Sequence, residues 1–293
     1  MGSEAMTAPR ISVVIPHYND PAGLNACIDS IERQTIARDQ FEIIVGDNNS
    51  PCGLAAVEAA VAGRAKIVTV AEKGAGPARN GAAKHAVGEV LAFIDSDCIA
   101  EPDWLAAGVR DVAPGRFLGG RMFVLRPEGR LNGSAALELA LAFNNEAYVR
   151  KSRFTVTANL FVMRTDFERV GGFRVGVSED VEWCHRALAM GLTIGYAADA
   201  VVGHPPRPDW AALLVKTRRI QRELFLFHIE RRHGRLRWIA RSVLQPALIP
   251  ADTAKILRTP GLEGARVQAI ATLARLRFWR GMAGVLQSLG FRV

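Results

Sequence analysis

Cysteine is sparse in this chain: Cys27, Cys52, Cys98 and Cys184 are the four in 293 residues, and no two share a metal-ligand or disulfide-framework spacing. That excludes a zinc-ribbon type of site and a disulfide-stapled scaffold, and it suits a reducing compartment. No run of roughly 18 uncharged apolar residues occurs, so no segment reads as membrane-spanning. Residues 1–9 have neither a basic start nor an apolar core, and no secretory signal is expected there. Internal repeats and low-complexity tracts are absent as well. The expected location is the cytoplasm, with peripheral attachment to the cytoplasmic face of a membrane as the variant.

Apolar content of 49% allows a large core. The N-terminal part alternates between two hydrophobic periods. Ile11-Ser12-Val13-Val14-Ile15 reads as a strand. Asp20-Pro21 then has the form of an N-cap with proline in the first turn, followed by Leu24, Cys27, Ile28 and Ile31 on one helical face. Phe41–Val45 is the second strand, Leu54–Ala62 a helix, Lys66–Val70 the third strand, a helix opens at Pro77, and Val90–Ile94 is the fourth strand. This order predicts an α/β fold with a mostly parallel, doubly wound, Rossmann-like sheet flanked by helices. Further on, Phe117–Leu125 and Phe154–Met163 read as strands, Ser134–Tyr148 and Glu179–Met190 as helices, and Thr193–Ala197 as a short strand. The division expected is a catalytic domain over residues 9–206 and a helical appendage over 207–293.

Ligands of open α/β sheets bind beyond the carboxyl ends of parallel strands. Four polar clusters fall there: Pro16-His17-Tyr18-Asn19, Gly46-Asp47-Asn48-Asn49-Ser50, Lys73 through Asn80, and Asp95-Ser96-Asp97. Together they predict a nucleotide-type pocket. Asp47 suits a base, Tyr18 can lie against its ring, and Arg79 can pair with a diphosphate. In an extended chain Asp95 and Asp97 point the same way, and two carboxylates so placed call for a cation. The glycines of a dinucleotide fingerprint are missing from the turn after strand 1, which sets that ligand aside.

With those clusters in view, the chain resembles glycosyltransferase family 2, the inverting nucleotide-sugar transferases of the GT-A fold. The matching segments are Ser12–Asn19, Ile43–Ser50, Gly76-Pro77-Ala78-Arg79-Asn80, Asp95-Ser96-Asp97, Thr157–Arg164, Gly171-Gly172-Phe173 and Ser178-Glu179-Asp180. The resemblance implies a GT-A-like domain, a nucleotide-diphospho-sugar donor (a UDP-sugar) and a divalent metal, Mn²⁺ or Mg²⁺. By position it assigns Asp47 to the base and Asp95 to the ribose and sugar, with Pro16, Tyr18, Asn19, Arg79 and Ser96 around the donor. It assigns Asp97 to the metal, with His204 as a further ligand. Glu179-Asp180 becomes the acidic pair with Asp180 as general base, and Asn159 falls to the acceptor. Apart from the resemblance, Trp183 can line the acceptor pocket or serve as a core aromatic on a buried helix face. Two departures stand out: Asn48 replaces a second acid in the strand-2 loop, and the Gln-x-x-Arg-Trp motif of processive members is absent, so transfer of a single sugar is expected.

Acidic residues thin out toward the C-terminus. Residues 207–293 hold 17 Lys and Arg against 5 Asp and Glu, while the whole chain carries +8. Mixed with Trp238, Phe278 and Trp279 at helical spacing, this basic region suits an anionic membrane surface or contacts in a homodimer. The expected acceptor is accordingly a lipid-linked or saccharide hydroxyl in cell-surface or exopolysaccharide assembly. Two alternatives are a nucleotidyltransferase making a nucleotide-sugar, which lacks its glycine-rich basic loop here, and a non-catalytic nucleic-acid binder. The latter leaves Asp95, Asp97, Glu179 and Asp180 without a task, and no nucleic-acid partner is expected.

Overall fold

The computed structural model describes residues 9–229 and 232–293. Its strands are β1 (Ile11–His17), β2 (Phe41–Asp47), β3 (Lys66–Thr69), β4 (Val90–Phe93), β5 (Ile99–Ala100), β6 (Arg116–Val124), β7 (Leu160–Met163) and β8 (Thr193–His204). The helices used below are α1 (Pro21–Glu32), α2 (Leu54–Val61), α3 (Ala75–Ala83), α4 (Trp104–Asp111), α5 (Gly133–Leu141), α6 (Asn145–Ala147), α7 (Arg164–Val170), α8 (Glu179–Ala189), α9 (Trp210–Ile229), α10 (Gly234–Val243), α11 (Ile249–Arg258) and α12 (Arg266–Ser288).

The strands form one mixed sheet in the order β3-β2-β1-β4-β7-β6-β8-β5. Its first four members are parallel, because each is joined to the next by a helical crossover. β7 then runs antiparallel to β4, β6 to β7, and β5 to β8. β1 and β4 are buried along their whole length, which is why they read as near-continuous apolar runs. The parallel half is drawn tight by glycine: a Cβ on Gly46 would stand 2.2 Å from the Ala78 carbonyl oxygen, so only glycine lets α3 lie this close on β2. Asp20 caps α1 by accepting from the Gly23 amide, with Pro21 in the first turn.

Four elements differ from expectation. α3 begins at Ala75, two residues before Pro77, since proline is tolerated anywhere in a first turn. The helix expected over Ser134–Tyr148 ends at Leu141, and Asn144 caps a new turn through the Ala147 amide. The strand expected from Phe154 starts only at Leu160, after a tight turn at Thr157–Asn159. β8 runs on to His204, far beyond Ala197, through Ala-rich sequence of low strand propensity that its pairing partners hold extended.

Packing divides the chain into two compact units. One holds the sheet: the described residues up to Phe123, with Asn144–Val175 and Glu179–His204. Its core on one face gathers Phe93, Phe117, Leu160, Phe167, Phe173 and Trp183. The other unit comprises Val124–Phe143, Gly176–Ser178 and Pro205–Val293. Its core joins Leu131, Ala136 and Leu137 of the α5 segment to Leu213, Ile256, Ala269 and Leu273 of the C-terminal helices. The segment around α5, expected with the catalytic domain 9–206, thus shares a core with the helices of 207–293.

Candidate active site

The carboxyl ends of β1 and β2 are tied by one hydrogen-bonded chain. The Asn19 amide donates to Ser50 Oγ (2.8 Å), and Ser50 Oγ donates to Asp47 Oδ1 (2.5 Å). His17 Nδ1 reaches the same oxygen at 2.8 Å, and the Ser50 amide donates to Asp47 Oδ2 at 3.1 Å. The Asp20 amide donates to His17 Nε2 (3.1 Å), which fixes the tautomer with the proton on Nδ1. Burial pushes the Asp47 carboxyl up, but the bonds from Ser50 and His17 outweigh it and hold it below the usual range. Asp47 is 3% exposed, and Oδ2 retains one acceptor position. Tyr18 by contrast stands 58% exposed at the end of β1. Pro16 lies buried within β1, and Asn19 adopts φ 54°, a left-handed turn that asparagine tolerates.

A pH effect follows from Asp47. Its folded pKa is depressed, so its stabilisation is complete above the unfolded value near ~3.9 and is lost as pH falls through the folded value. Acid unfolding of Ser50→Ala is expected to set in at higher pH than for the parent. Superimposable acid transitions would remove Ser50 as the source of the shift.

Asn48, which stands where a second acid was expected, pins the third loop. Its Nδ2 donates to the carbonyls of Val70 (3.1 Å) and Glu72 (2.6 Å), and its Oδ1 accepts from the Gly74 amide (2.8 Å). An aspartate there would lose both donor bonds.

Arg79, on α3, is the hub of the site. One Nη donates to Asp95 and the other to Glu179, and the side chain is 3% exposed. Burial disfavours its charge, yet the two carboxylates hold its pKa above the ordinary value. The guanidinium thus faces two protein acids and forms an internal clamp, partners not anticipated from the sequence. Gly76 makes room for this, since a Cβ there would lie 2.7 Å from Glu179 Oε2. Asn80, the next residue, grips Phe173 through both its N–H and its C=O, each at 2.8 Å. Arg79→Met leaves two partly wet acids without their countercharge. A loss of about 2–3 kcal/mol in denaturant unfolding is expected, less than the ~3–5 of a fully buried pair. Unchanged stability would show that the clamp contributes nothing.

The Asp95-Ser96-Asp97 segment is a turn, not an extended chain: the Cys98 amide donates to the Asp95 carbonyl at 3.0 Å. The two acids consequently diverge, Asp95 toward Arg79 and Asp97 toward His204. Asp97 Oδ2 lies 3.5 Å from His204 Nε2. The register of the β5–β8 ribbon explains this meeting, because Ile99 opposite Gly203 brings the residues before β5 beside the end of β8. Asp97, Cys98 and His204 present their ligand atoms within 4.8 Å of one another. A carboxylate and an imidazole suit Mn²⁺ or Mg²⁺. Burial pushes the Cys98 thiol well up, so it stays protonated and is the weakest of the three for such an ion. The donor set thus fits a divalent cation held by Asp97 and His204. Ser96 sits half-buried in the same turn.

Glu179 and Asp180 open α8, both half-buried. Tyr148 is a neighbour that sequence reasoning missed. Burial raises its phenol, a backbone hydrogen bond at Asn144 opposes the rise, and the Asp180 carboxylate adds to it. It had been read as the end of a helix that the structure breaks, so no pattern marked it.

Neither expected acceptor residue faces an opening. Asn159 is 0% exposed, accepting from Trp104 Nε1 (2.9 Å) and donating to the carbonyls of Arg121 (3.0 Å) and Ala200 (2.9 Å). It ties β6 to β8 across the start of β7. Trp183 is also 0% exposed, stacked on Phe167, with Nε1 donating to the Gly171 carbonyl at 2.9 Å. Both serve the core because every polar atom they carry is satisfied internally.

With this geometry in hand, comparison with known proteins is direct. A sequence model described as Glycosyl transferase family 2 matches residues 12–169. Glycosyltransferase AglE of Haloferax volcanii is 30% identical over 225 residues, covering 73% of this chain and 72% of that protein. The UDP-Glc:alpha-D-GlcNAc-diphosphoundecaprenol beta-1,3-glucosyltransferase WfgD of Escherichia coli is 34% identical over 97 residues, 33% of this chain and 36% of that protein. Among solved structures, mannosyltransferase PcManGT from Pyrobaculum calidifontis in complex with GDP-Man and Mn²⁺ superposes with a TM-score of 0.62 at 22% identity, covering 97% of this chain and 88% of that one. S. aureus TarS 1-349 in complex with UDP-GlcNAc gives 0.54 at 18% identity, over 92% and 90%. The fold is GT-A-like. No helix among the described residues is long and apolar enough to cross a membrane.

Proposed function

The chain belongs to glycosyltransferase family 2, and from that premise we propose that it moves one sugar, with inversion, from a UDP-sugar to a hydroxyl of a lipid-linked saccharide in cell-surface polysaccharide assembly. The observation that carries this reading is the meeting of Asp97 with His204 at 3.5 Å, beside the Arg79 clamp on Asp95 and Glu179. Asp97 and His204 would hold a divalent cation, which would supply positive charge against the departing nucleoside diphosphate.

The chain's own residues do the rest. Tyr18 offers an exposed ring for the base to lie against, and the remaining acceptor position on Asp47 Oδ2 takes a hydrogen bond from the base edge. Asp95, oriented by Arg79, meets the ribose and sugar region. Asp180 removes the proton from the acceptor hydroxyl while that oxygen bonds to the anomeric carbon and the bond to the diphosphate breaks. Attack opposite the leaving group inverts the anomeric centre. Glu179 takes no proton in this scheme: bonded to Arg79, it positions the start of α8 and so Asp180.

WfgD, named for a UDP-Glc donor and a diphosphoundecaprenol-linked acceptor, supports the choice of acceptor, and TarS with UDP-GlcNAc supports the donor. PcManGT, with GDP-Man, defines the competing nucleotide. The test offers a panel of UDP- and GDP-sugars with a diphosphate-linked saccharide lipid, and reads the product by mass and by the anomeric proton coupling. One UDP-sugar transferred once with inverted configuration is expected. Retained configuration, repeated additions, or use of GDP-sugars alone would each contradict the reading.

A further inference from the structure

The helical unit has a face to which the transfer chemistry gives no task. Phe278, Met282, Val285 and Leu286 recur along one side of α12, at the spacing of a single helix face. With Val243 and Pro246 they line an open groove of about 380 Å³. Phe278 is 61% exposed and Met282 59%, and Val243 and Leu244 at the end of α10 are similarly bare. Contiguous exposed apolar side chains of this kind mark a contact surface.

Three arginines stand next in sequence to lining residues, Arg241 before Ser242, Arg277 before Phe278 and Arg280 before Gly281, and Arg241, which is exposed, lies over the Trp238 ring with Nη1 3.2 Å from His228 Nε2. Arg277 is balanced by Asp252 and by Gln245. Among the described residues no carboxylate lies within ion-pair distance of Arg241 or Arg280, and Arg280 Nε is buried without a hydrogen-bond partner. Burial, with Arg277 and Arg241 nearby, pushes the Arg280 guanidinium down to about 10. The surrounding segment adds to the excess, with 17 basic residues against 5 acidic ones from 207 onward.

We propose that this face of α10 and α12 docks the protein on an anionic phospholipid bilayer, Phe278 and Met282 entering the acyl boundary while exposed Arg241 and the basic excess of the segment from 207 onward meet headgroup phosphates. Charge decides between occupants. A second copy would press one positive face against another, which repels. Nucleic acid would satisfy the arginines but leave Phe278, Met282 and Val243 unburied. A bilayer of anionic lipid satisfies both. The inference goes beyond the donor-site reading and stands apart from it, since binding is read without donor or acceptor.

The experiment is co-sedimentation of the full chain with phosphatidylcholine vesicles, with and without phosphatidylglycerol. Partitioning at least about tenfold stronger on the anionic vesicles is expected, weakening as salt rises. The double variant Phe278→Ser with Met282→Ser replaces exposed side chains, so its melting temperature should match the parent while partitioning falls about tenfold or more. Arg241→Gln should reduce the preference for anionic lipid. Equal partitioning on both vesicle types, or full partitioning by the double variant, would overturn the proposal. So would displacement by inorganic phosphate at matched ionic strength, which indicates a single-anion site, or a lipid-free dimer that the double variant dissociates. Duplex DNA retention in the absence of vesicle binding would assign the charge to nucleic acid instead.

Discussion

Replacing Asp97 with alanine is expected to lower kcat/KM about a thousandfold and to raise sharply the Mn²⁺ concentration needed for half-maximal turnover. The size follows from what is removed: at the site two donor atoms, a carboxylate and an imidazole, lie 3.5 Å apart, and the substitution leaves the imidazole alone. A thousandfold corresponds to about 4 kcal/mol of transition-state stabilisation, within what a cation at a developing negative charge supplies. The fold should not suffer, because Asp97 sits half-buried in a turn closed by backbone atoms, Cys98 N–H to Asp95 C=O. His204→Ala should act in the same direction but less, since the anionic ligand remains. Activity of Asp97→Ala within about tenfold of the parent, at unchanged Mn²⁺ dependence, would remove the pair as a metal site.

Asp180→Asn is expected to separate binding from chemistry. Turnover should fall about 10²–10⁴-fold, the range of a lost general base, with donor affinity unchanged. The amide is nearly isosteric and keeps an oxygen for the Val181 amide, which Asp180 Oδ1 accepts at 3.0 Å. Glu179→Gln makes the contrast. It weakens the bond from Arg79 without removing a base, so a smaller loss is expected, shared between kcat and stability. The measurement is steady-state kinetics on both variants beside a donor titration. Should Glu179→Gln prove the more damaging to turnover at equal stability, the two acids exchange roles.

The parallel half of the sheet was legible because β1, β2 and β4 are buried over nearly all their length and read as near-continuous apolar runs, broken only by Ser12 and Glu42 before their polar ends. The antiparallel half was not. β5 is two residues long, too short for a pattern, and β8 continues through Ala197-Ala198-Asp199-Ala200, where pairing overrides propensity. Those two elements bring His204 to Asp97, so the meeting of the two side chains depends on a register that no local pattern reveals.

The same limit explains the errors at single residues. Alternation along a strand predicts that Asp95 and Asp97 share a direction, but the chain has already turned. An arginine after a glycine-containing turn reads equally as a phosphate ligand or as an internal clamp, since one guanidinium fork fits both partners. The clamp is invisible in the sequence because Glu179 lies 100 residues away from Arg79. Asn159 lies in a motif segment and Trp183 on a helix face just past another, and burial alone tells that their polar atoms are turned inward. Val124–Phe143 looked like part of the catalytic domain because it precedes β7, whereas its apolar stripe completes the core of the C-terminal helices.

The central claim is that Asp97 and His204 make this edge of the sheet a metal-assisted nucleotide-sugar site. Calorimetric titration of UDP-sugars into the parent protein, with Mn²⁺ and with a chelator, tests it most directly. The account predicts that one UDP-sugar binds at least about tenfold more tightly with Mn²⁺. Binding of equal strength in both conditions, or no binding of any nucleotide-sugar by folded protein, would contradict it.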